Sequence, residues 1–512
     1  MEFRHGRSML VRNIWRLAVL RICSVAGTEE AQSCETETRC PGRIIVVGAG
    51  LAGLVAAQSL RHANCDVVVL EANDHVGGRA AGILHGPFEG LEQGAQWIHG
   101  GERNVVMMAL LHLYNMPTLR VGGNTDFEGD DEKHHFFADR FNDSLKAQAF
   151  RQYEEAKVLF ERAAQIRKSD VSVRDAWATV LSKLPQRDAE LLEWQLRVRS
   201  EQNWATQMDD VGLRLAELAT YSDFDSSAPH HGGDFRFTSS GELLAKLSEG
   251  LDLRLNTKVK SIHFEKDDRL MVQTDQTIYQ GAAVIVTASL AVLQRHQIHF
   301  HPPMPSSFLA ALGRFQMGQL GKLFVKFTPG QCPIGETTYL LSRLVSRTSR
   351  RLLYYCIRED VPSTVALVCL VGGPSYEAAR QCTVHEVVQE LKEMYPHMAP
   401  GAVEDVHFVS FEEDPHVLGS WTSGKVGSSS SDFDIFQQKN SRGLYFAGEH
   451  TCRLMYGSLQ AAAVSGARAA LQVISATDLS SAWPFFQKNL LPDLAKPSIM
   501  MQAMQAARTK TR

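Results

Sequence analysis

The sequence contains no run of about 18 apolar residues, so nothing in it reads as a membrane-spanning helix. It has no C-x-x-C and no metal-ligand spacing among its nine cysteines, at 23, 34, 40, 65, 332, 356, 369, 382 and 452. An odd, scattered set of that kind is expected to stay as reduced thiols in an intracellular protein, not to form a disulfide frame. Charge of one sign is also lacking. The 53 basic and 57 acidic side chains leave a net charge of -4, which argues against the basic face of a general nucleic-acid binder. There is no internal repeat, no Ser/His/Asp constellation and no metal motif. What is present is 512 residues with 44% hydrophobic and 21% charged side chains, enough for two or three ordinary globular domains.

Residues 1–40 read as a leader outside the fold. Five arginines (4, 7, 12, 16 and 21) and a single acid, Glu2, fall in the first 23 positions. The arginines recur among Leu, Val, Ile and Trp at roughly helical spacing, which is the composition of a mitochondrial presequence. A disordered leader or a misjudged start codon is the alternative, and a mitochondrial or cytoplasmic location is the expectation. Arg16 and Arg21 interrupt the apolar stretch that a secretory signal needs. The polar end, Met500–Arg512, closes on Thr-Lys-Thr-Arg, which is not a Ser-Lys-Leu address.

The strongest signal begins at Arg43. Ile44-Ile45-Val46-Val47 is a short β-branched run of the kind that forms a buried parallel strand. Gly48-Ala49-Gly50-Leu51-Ala52-Gly53 follows, then helical spacing over 54–60, then a second strand, Val67-Val68-Val69-Leu70, ending at Glu71. This is a βαβ unit with a G-x-G-x-x-G turn. Its glycines permit a tight turn and close approach to a pyrophosphate, and the helix N-terminus turns its positive end to the phosphates. Glu71 stands where a carboxylate accepts the adenosine ribose hydroxyls. The expected dinucleotide contacts are therefore Gly48, Gly50, Leu51, Ala52, Gly53 and Glu71.

The next residues favour FAD over NAD. Glu71 to Arg79 has the form E-x5-G-G-R, which resembles the second fingerprint of glutathione-reductase-type FAD proteins and implies that Arg79 reaches the cofactor phosphates. Further along, Gly94-Ala95-Gln96-Trp97-Ile98-His99-Gly100 is similar to the G-A-x-W-x-x-G segment of flavin-containing amine oxidases of the polyamine oxidase kind. Leu255-Asn256-Thr257-Lys258-Val259, the strand 284–288, the Phe300-to-Pro305 link, and Tyr445-Phe446-Ala447-Gly448-Glu449-His450-Thr451 with Ser465–Ala470 downstream complete the resemblance, which runs in order from about 43 to 475. It implies an α/β fold: a glutathione-reductase-type FAD-binding Rossmann domain with an inserted α+β substrate-binding domain. The FAD-binding domain is expected from 41–100, 234–300 and 415–475, the substrate-binding domain from 101–233 and 301–414, and a tail over 476–512. Helices are expected over 143–168, 173–184 and 187–200, solvated loops over 122–135 and 223–233, strands within 320–372, and a flexible stretch over 424–431.

The resemblance also implies site residues. Gly94, Ala95, Gln96 and Trp97 pass the flavin, the Val259 backbone meets the adenine, and Glu449 lies by the pyrophosphate and ribityl chain. Ser458 and Leu459 open a last helix whose N-terminus faces the flavin ring. Lys322, in Gly318-x3-Lys322-x4-Phe327, matches a family lysine that holds a water at the flavin's reactive nitrogen. Strand alternation alone puts Lys322 and Lys326 on a solvated face. His99 and Glu201 are candidates for the mouth of a tunnel that takes a cationic amine, with Asp209, Asp210, Asp223 and Asp225 as alternative acids. The paired aromatic cage of many amine oxidases is not reproduced: Trp421 stands in Gly419-Ser420-Trp421-Thr422-Ser423, and Tyr456 two residues before the second position, Ser458. No cysteine lies in 419–427, so FAD is expected to be held non-covalently. The implied activity is oxidation of an amine C–N bond by hydride transfer to FAD, with O2 reoxidation to hydrogen peroxide. Alternatives are an oxidase of the same fold acting on amino acids or desaturating a hydrophobic substrate, and an FAD-stabilised binding protein with weak turnover. Small-molecule amine and O2 are the expected partners, and the sequence leaves oligomeric state open.

Overall fold

The computed structural model describes residues 40–83, 85–99, 104–120, 134–137, 169–215, 235–237, 239–265, 269–335, 340–343, 355–361, 364–372, 375–438, 442–453 and 456–474. The leader and tail, and the expected helix over 143–168 and loop over 223–233, lie outside these residues.

A five-stranded parallel sheet forms the first layer, in the order Leu444–Phe446, Ala283–Val286, Ile44–Val47, Val67–Leu70, Asp252–Arg254. Its centre is the sequence-read βαβ unit: Ile44–Val47, the helix Leu51–His62 and Val67–Leu70, with Ile44 opposite Val67. The β-branched runs suit strands covered on both faces. Ile44 and Val46 pack with the helix Leu51–His62 and with Ala463, Ala467 and Ala470 of the helix Leu459–Ile474. Ile45 and Val47 point the other way, into a cluster with Leu290, Phe308, Phe433 and Tyr456. The sheet thus gathers strands from both ends of the described chain.

The second large sheet has six strands in the order Val403–Ser410, Leu320–Phe327, Thr364–Gly372, Tyr355–Val361, Leu340–Arg343, His134–Phe137. It is antiparallel except for its last pair. Leu323, Val325 and Phe327 face a cluster completed by Val387 and Leu391 of the helix Val384–Met394. Phe324 packs on the other face with Phe88 and Leu91. Both faces of Leu320–Phe327 are therefore covered, and the solvated face that alternation suggested for Lys322 does not exist: this lysine is 4% exposed. A three-stranded sheet, Trp97–Ile98, Phe235–Phe237 and Thr118–Arg120, and a four-stranded one built around Val259–Phe264 and Leu270–Thr274 complete the β-structure.

Helices occur at Val173–Leu181 and Gln186–Asn203, close to the ranges read from periodicity. The loop expected over 122–135 gives way at its end to the strand His134–Phe137. The flexible stretch over 424–431 is a turn that runs into the helix Ser430–Gln437, begun by a Ser429/Asp432 capping box.

The expectation of reduced thiols is corrected. Cys40 is bonded to Cys65 and Cys356 to Cys369, whereas among the described residues Cys332, Cys382 and Cys452 form no disulfide. The reason is pairing that spacing does not reveal. Cys356 and Cys369 are directly opposed on antiparallel strands. Cys40 and Cys65 precede two strands aligned in parallel at Ile44 and Val67. Among the described residues, no helix is long and apolar enough to cross a membrane, and no cluster of three or more His, Cys, Asp or Glu could hold a metal ion.

Candidate active site

The glycine-rich turn sits where the strand Ile44–Val47 hands over to its helix. A Cβ at Gly53 would collide with the Gly48 carbonyl, so only glycine lets the helix start this close to the strand end. Gly50 is the N-cap, without a side-chain hydrogen bond, and no acid stands in the first turn. The helix therefore presents a positive end with no side-chain cap, the arrangement that receives a diphosphate. Glu71 is buried behind this turn. Its Oε2 accepts Ala49 N at 2.6 Å and its Oε1 accepts Asn73 N at 2.9 Å. Burial pushes its carboxyl above the ordinary value against the pull of those two N–H groups. The segment before Val259 lies alongside: Thr257 N donates to Glu71 O at 2.7 Å, which brings the Val259 strand to Glu71.

Arg79 follows the Gly77–Gly78 turn and links the first fingerprint to the last. Its Nη1 donates to Glu449 Oε1 at 2.7 Å and to Ser420 O at 3.0 Å. Glu449 also accepts Thr422 Oγ1 at 2.8 Å and Gly457 N at 2.9 Å. Burial pushes the Glu449 carboxyl up, but the Arg79 charge and the hydrogen bonds outweigh it and hold the group below its usual value. Next in sequence, His450 is buried and pushed down to about 4, so it is neutral at physiological pH. Buried Arg468, on the helix Leu459–Ile474, donates Nη2 to Phe446 O at 2.6 Å and to Thr451 Oγ1 at 3.0 Å, which fixes this corner. Ser458 accepts Ala461 N at 3.2 Å and so caps the last helix, which has no acid in its first turn.

Lys322 is buried on the strand Leu320–Phe327. Its Nζ donates to Glu92 O at 2.7 Å, Gly94 O at 2.7 Å and Gln96 Oε1 at 2.9 Å, and lies 5.5 Å from the centre of the Trp97 ring. Burial pushes the amine down to about 7, opposed by the charge of Glu92. Among the described residues, three acceptors and no donor surround the nitrogen, which matches an ammonium, since a neutral amine has only two N–H bonds to give. The Glu92 carboxylate accepts Ser240 N at 2.7 Å and the Ser240 hydroxyl, anchoring the wall segment to the start of the helix Ser240–Ser248. Gly94 passes so close to Arg79 O that a Cβ there would clash. Ala95 N donates to the same oxygen at 3.1 Å.

The candidates for substrate contact divide. Trp421 is held by Gly318 N, which donates to its carbonyl at 2.7 Å, and its ring lies along Gly457 just before the last helix. His99 is tied to the same helix: Asn104 Nδ2 donates to His99 O at 3.0 Å and to Gln460 Oε1 at 3.1 Å. Glu201 is in the last turn of Gln186–Asn203, and its side chain lies outside the described residues. Four positions on, Ala205 O accepts Gln319 N at 2.5 Å, so this helix end abuts the Gly318–Gln319 turn, whose Gly318 N donates to Trp421 O. Tyr456 is a core residue. Its ring packs on Phe433, and its hydroxyl donates to Leu215 O at 2.9 Å. Asp209 and Asp210 are exposed, and Asp223 and Asp225 lie outside the described residues.

Over residues 51–474 the chain matches the model of a family described as flavin containing amine oxidoreductase. The chain belongs to this family. Among curated relatives of this amine oxidoreductase, Polyamine oxidase 5 of Oryza sativa subsp. japonica is 26% identical over 84% of this chain and 87% of its own. Lysine-specific histone demethylase 1 homolog 2 of Arabidopsis thaliana is 29% identical, with 85% of this chain covering 58% of that protein. Solved structures with the same fold include a putrescine oxidase bound to putrescine (TM-score 0.66, 18% identity, covering 85% of this chain and 99% of that one). Another is cyclohexylamine oxidase from Brevibacterium oxydans (TM-score 0.67, 16% identity, covering 85% and 98%).

The amine oxidoreductase's residues fit its cofactor, FAD. The helix start at Leu51, with no side-chain cap, and the Arg79 guanidinium suit the diphosphate, Glu71 the ribose, and the start of the helix Leu459–Ile474 the electron-rich end of the ring. When bound, FAD would supply the acceptor for a hydride from the amine α-carbon and the route for its electrons to dioxygen, giving hydrogen peroxide. The protein's part is to hold the amine, exclude water and fix charge at the ring. Sequence reasoning missed Glu92, Thr422 and Glu359, whose Oε1 accepts Gln96 Nε2 at 2.5 Å. Thr422 was legible only as a neighbour of Trp421. Glu359 stands in Arg358-Glu359-Asp360, a charged run that reads as a solvated strand end.

Proposed function

We propose that this FAD-dependent amine oxidase acts on polyamines, oxidising a carbon next to a secondary or primary amine nitrogen, with hydrolysis of the imine to an aldehyde and a shorter amine. The observation that carries the reading is the near end-to-end match to polyamine oxidases, whereas the demethylase relative extends well beyond the matched region. The site supports it. His99, through Asn104, and Trp421, beside Gly457, both reach the start of the last helix, and the end of the helix bearing Glu201 meets the Gly318–Gln319 turn that bonds to Trp421; this is where a chain-like cation is proposed to enter. Lys322 is proposed to act at the flavin, and Tyr456 is proposed to serve packing, not substrate contact.

The test is hydrogen peroxide release from a panel of spermine, acetylated polyamines, simple monoamines and amino acids. Turnover confined to polyamines or their acetylated forms supports the proposal. Turnover of amino acids or monoamines alone moves the substrate class. An FAD-loaded protein that releases no peroxide with any of them points to a binding role.

A further inference from the structure

The Lys322 ammonium is held by three oxygens, two of which are main-chain carbonyls and cannot turn. The third, Gln96 Oε1, belongs to a primary amide, which can face either way. Turned over, it would point an N–H2 group at an ammonium, donor against donor. The choice is made on the far side of the amide. Gln96 Nε2 donates at 2.5 Å to Oε1 of Glu359, an acceptor-only carboxylate when ionised. Glu359 is 3% exposed and Gln96 4%, so neither is set by bulk water. Glu359 lies on the strand Tyr355–Val361, which is separated from the Lys322 strand by Thr364–Gly372.

We propose that Glu359 is a positioning residue for amine oxidation, orienting the Gln96 amide so that its oxygen holds Lys322 against the Glu92–Trp97 wall. This rests on the reading that Lys322 acts at the flavin. Among the described residues, the charged groups that bear on the lysine are Glu92, from the wall segment, and, through Gln96, Glu359. The flanking strands place Leu370 and Val409 opposite Lys322, and neither titrates. A buried carboxylate in a β-sheet domain thereby controls a cation at the flavin face through a single amide. Glu359→Leu frees the amide to turn, and Glu359→Gln keeps an acceptor in place.

The experiment follows the holoenzyme by stopped flow at the flavin band across pH, and titrates the oxidised flavin spectrum without substrate. Glu359→Leu is expected to slow the half-reaction that depends on Lys322 by about tenfold, within the range of contacting pairs. It is also expected to move the lysine's inflection to lower pH in both the rate and the spectrum. Glu359→Gln should restore most of the rate. In a Gln96→Leu background, Glu359→Leu should add no further slowing and no further pH shift. Equal losses in both backgrounds, or a lower melting temperature with an unmoved inflection, would overturn the proposal. If Glu359→Leu does not fold, Glu359→Ala is measured in the wild-type and Gln96→Leu backgrounds, with the same outcomes supporting or overturning the proposal. A silent Lys322→Met, measured alongside, would instead remove the reading of Lys322 itself.

Discussion

Arg79 Nη1 lies 2.7 Å from Glu449 Oε1, joining residues 370 positions apart beside the proposed diphosphate site. The Glu449 side chain is 6% exposed and that of Arg79 21%, so the pair is largely withdrawn from water. Removing one partner of such a pair costs roughly 3–5 kcal/mol, because the other charge is left uncompensated. Glu449→Ala is expected to lower the melting temperature and weaken FAD retention together. The native carboxyl sits below the ordinary value of 4.5, so its contribution is complete above that pH. It is lost as pH falls through the lower native value. Thermal scans from pH 3 to pH 7 check this. An unchanged acid limb in Glu449→Ala would contradict it.

Lys322 gives the opposite pH dependence. Its folded amine is pushed to about 7 from 10.5, so between these values the unfolded chain binds more protons. Stability should rise with pH across that window, the penalty being full below about 7 and gone above 10.5. In Lys322→Met this rise should flatten while the fold and FAD binding survive. Urea midpoints for both proteins from pH 7 to pH 10 measure it. The same variant should slow flavin reduction or reoxidation about a hundredfold, the scale of losing one placed charge-stabilising group. Wild-type half-reaction rates would exclude Lys322 from the chemistry.

Tyr456 and Trp421 should separate. Tyr456→Phe loses only the hydrogen bond to Leu215 O, costing about 1 kcal/mol of stability, with kcat and KM unchanged. Trp421→Ala strips a ring beside Gly457 and should change amine kinetics. A kinetic effect of Tyr456→Phe as large as that of Trp421→Ala would return the tyrosine to the substrate wall.

His99→Ala and Glu201→Gln are expected to raise KM for a polyamine more than they lower kcat, the signature of binding made equally in ground and transition states. Unchanged kinetics in both, with every amine tested, would place the tunnel mouth elsewhere.

Cofactor attachment is directly measurable. Acid or heat should release intact FAD, and Glu71→Ala should weaken FAD retention while the βαβ unit still folds, since a ribose-binding carboxylate is lost. Colour remaining with the denatured polypeptide would show a covalent link.

The residues that sequence reading located well have short-range causes. Ile44–Val47, the glycine turn and Val67–Leu70 are dictated by β-branched runs and by a clash at Gly53, all within 30 positions. Lys322 was legible only as part of a motif, because strand alternation assumes one wet face and Phe88 and Leu91 cover it from far away in the chain. The pairing of Gln96 with Glu359, 263 positions apart, has no local signal at all. The same holds for the Cys356–Cys369 bond, which depends on strand register.

The order of strands in the first sheet has a consequence during synthesis. Ala283–Val286, fully buried in the finished protein, takes Leu444–Phe446 as its outer neighbour. A ribosome adding ~5–20 residues per second needs roughly 8–32 s to go from one strand to the other, with further delay before the later strand clears the exit tunnel. For that interval the nascent chain shows an open apolar edge. The glycine turn, although made early, has no Glu449 to brace Arg79. Chaperone occupancy should therefore peak on chains arrested between residues 290 and 440, and fall once the last helix has emerged.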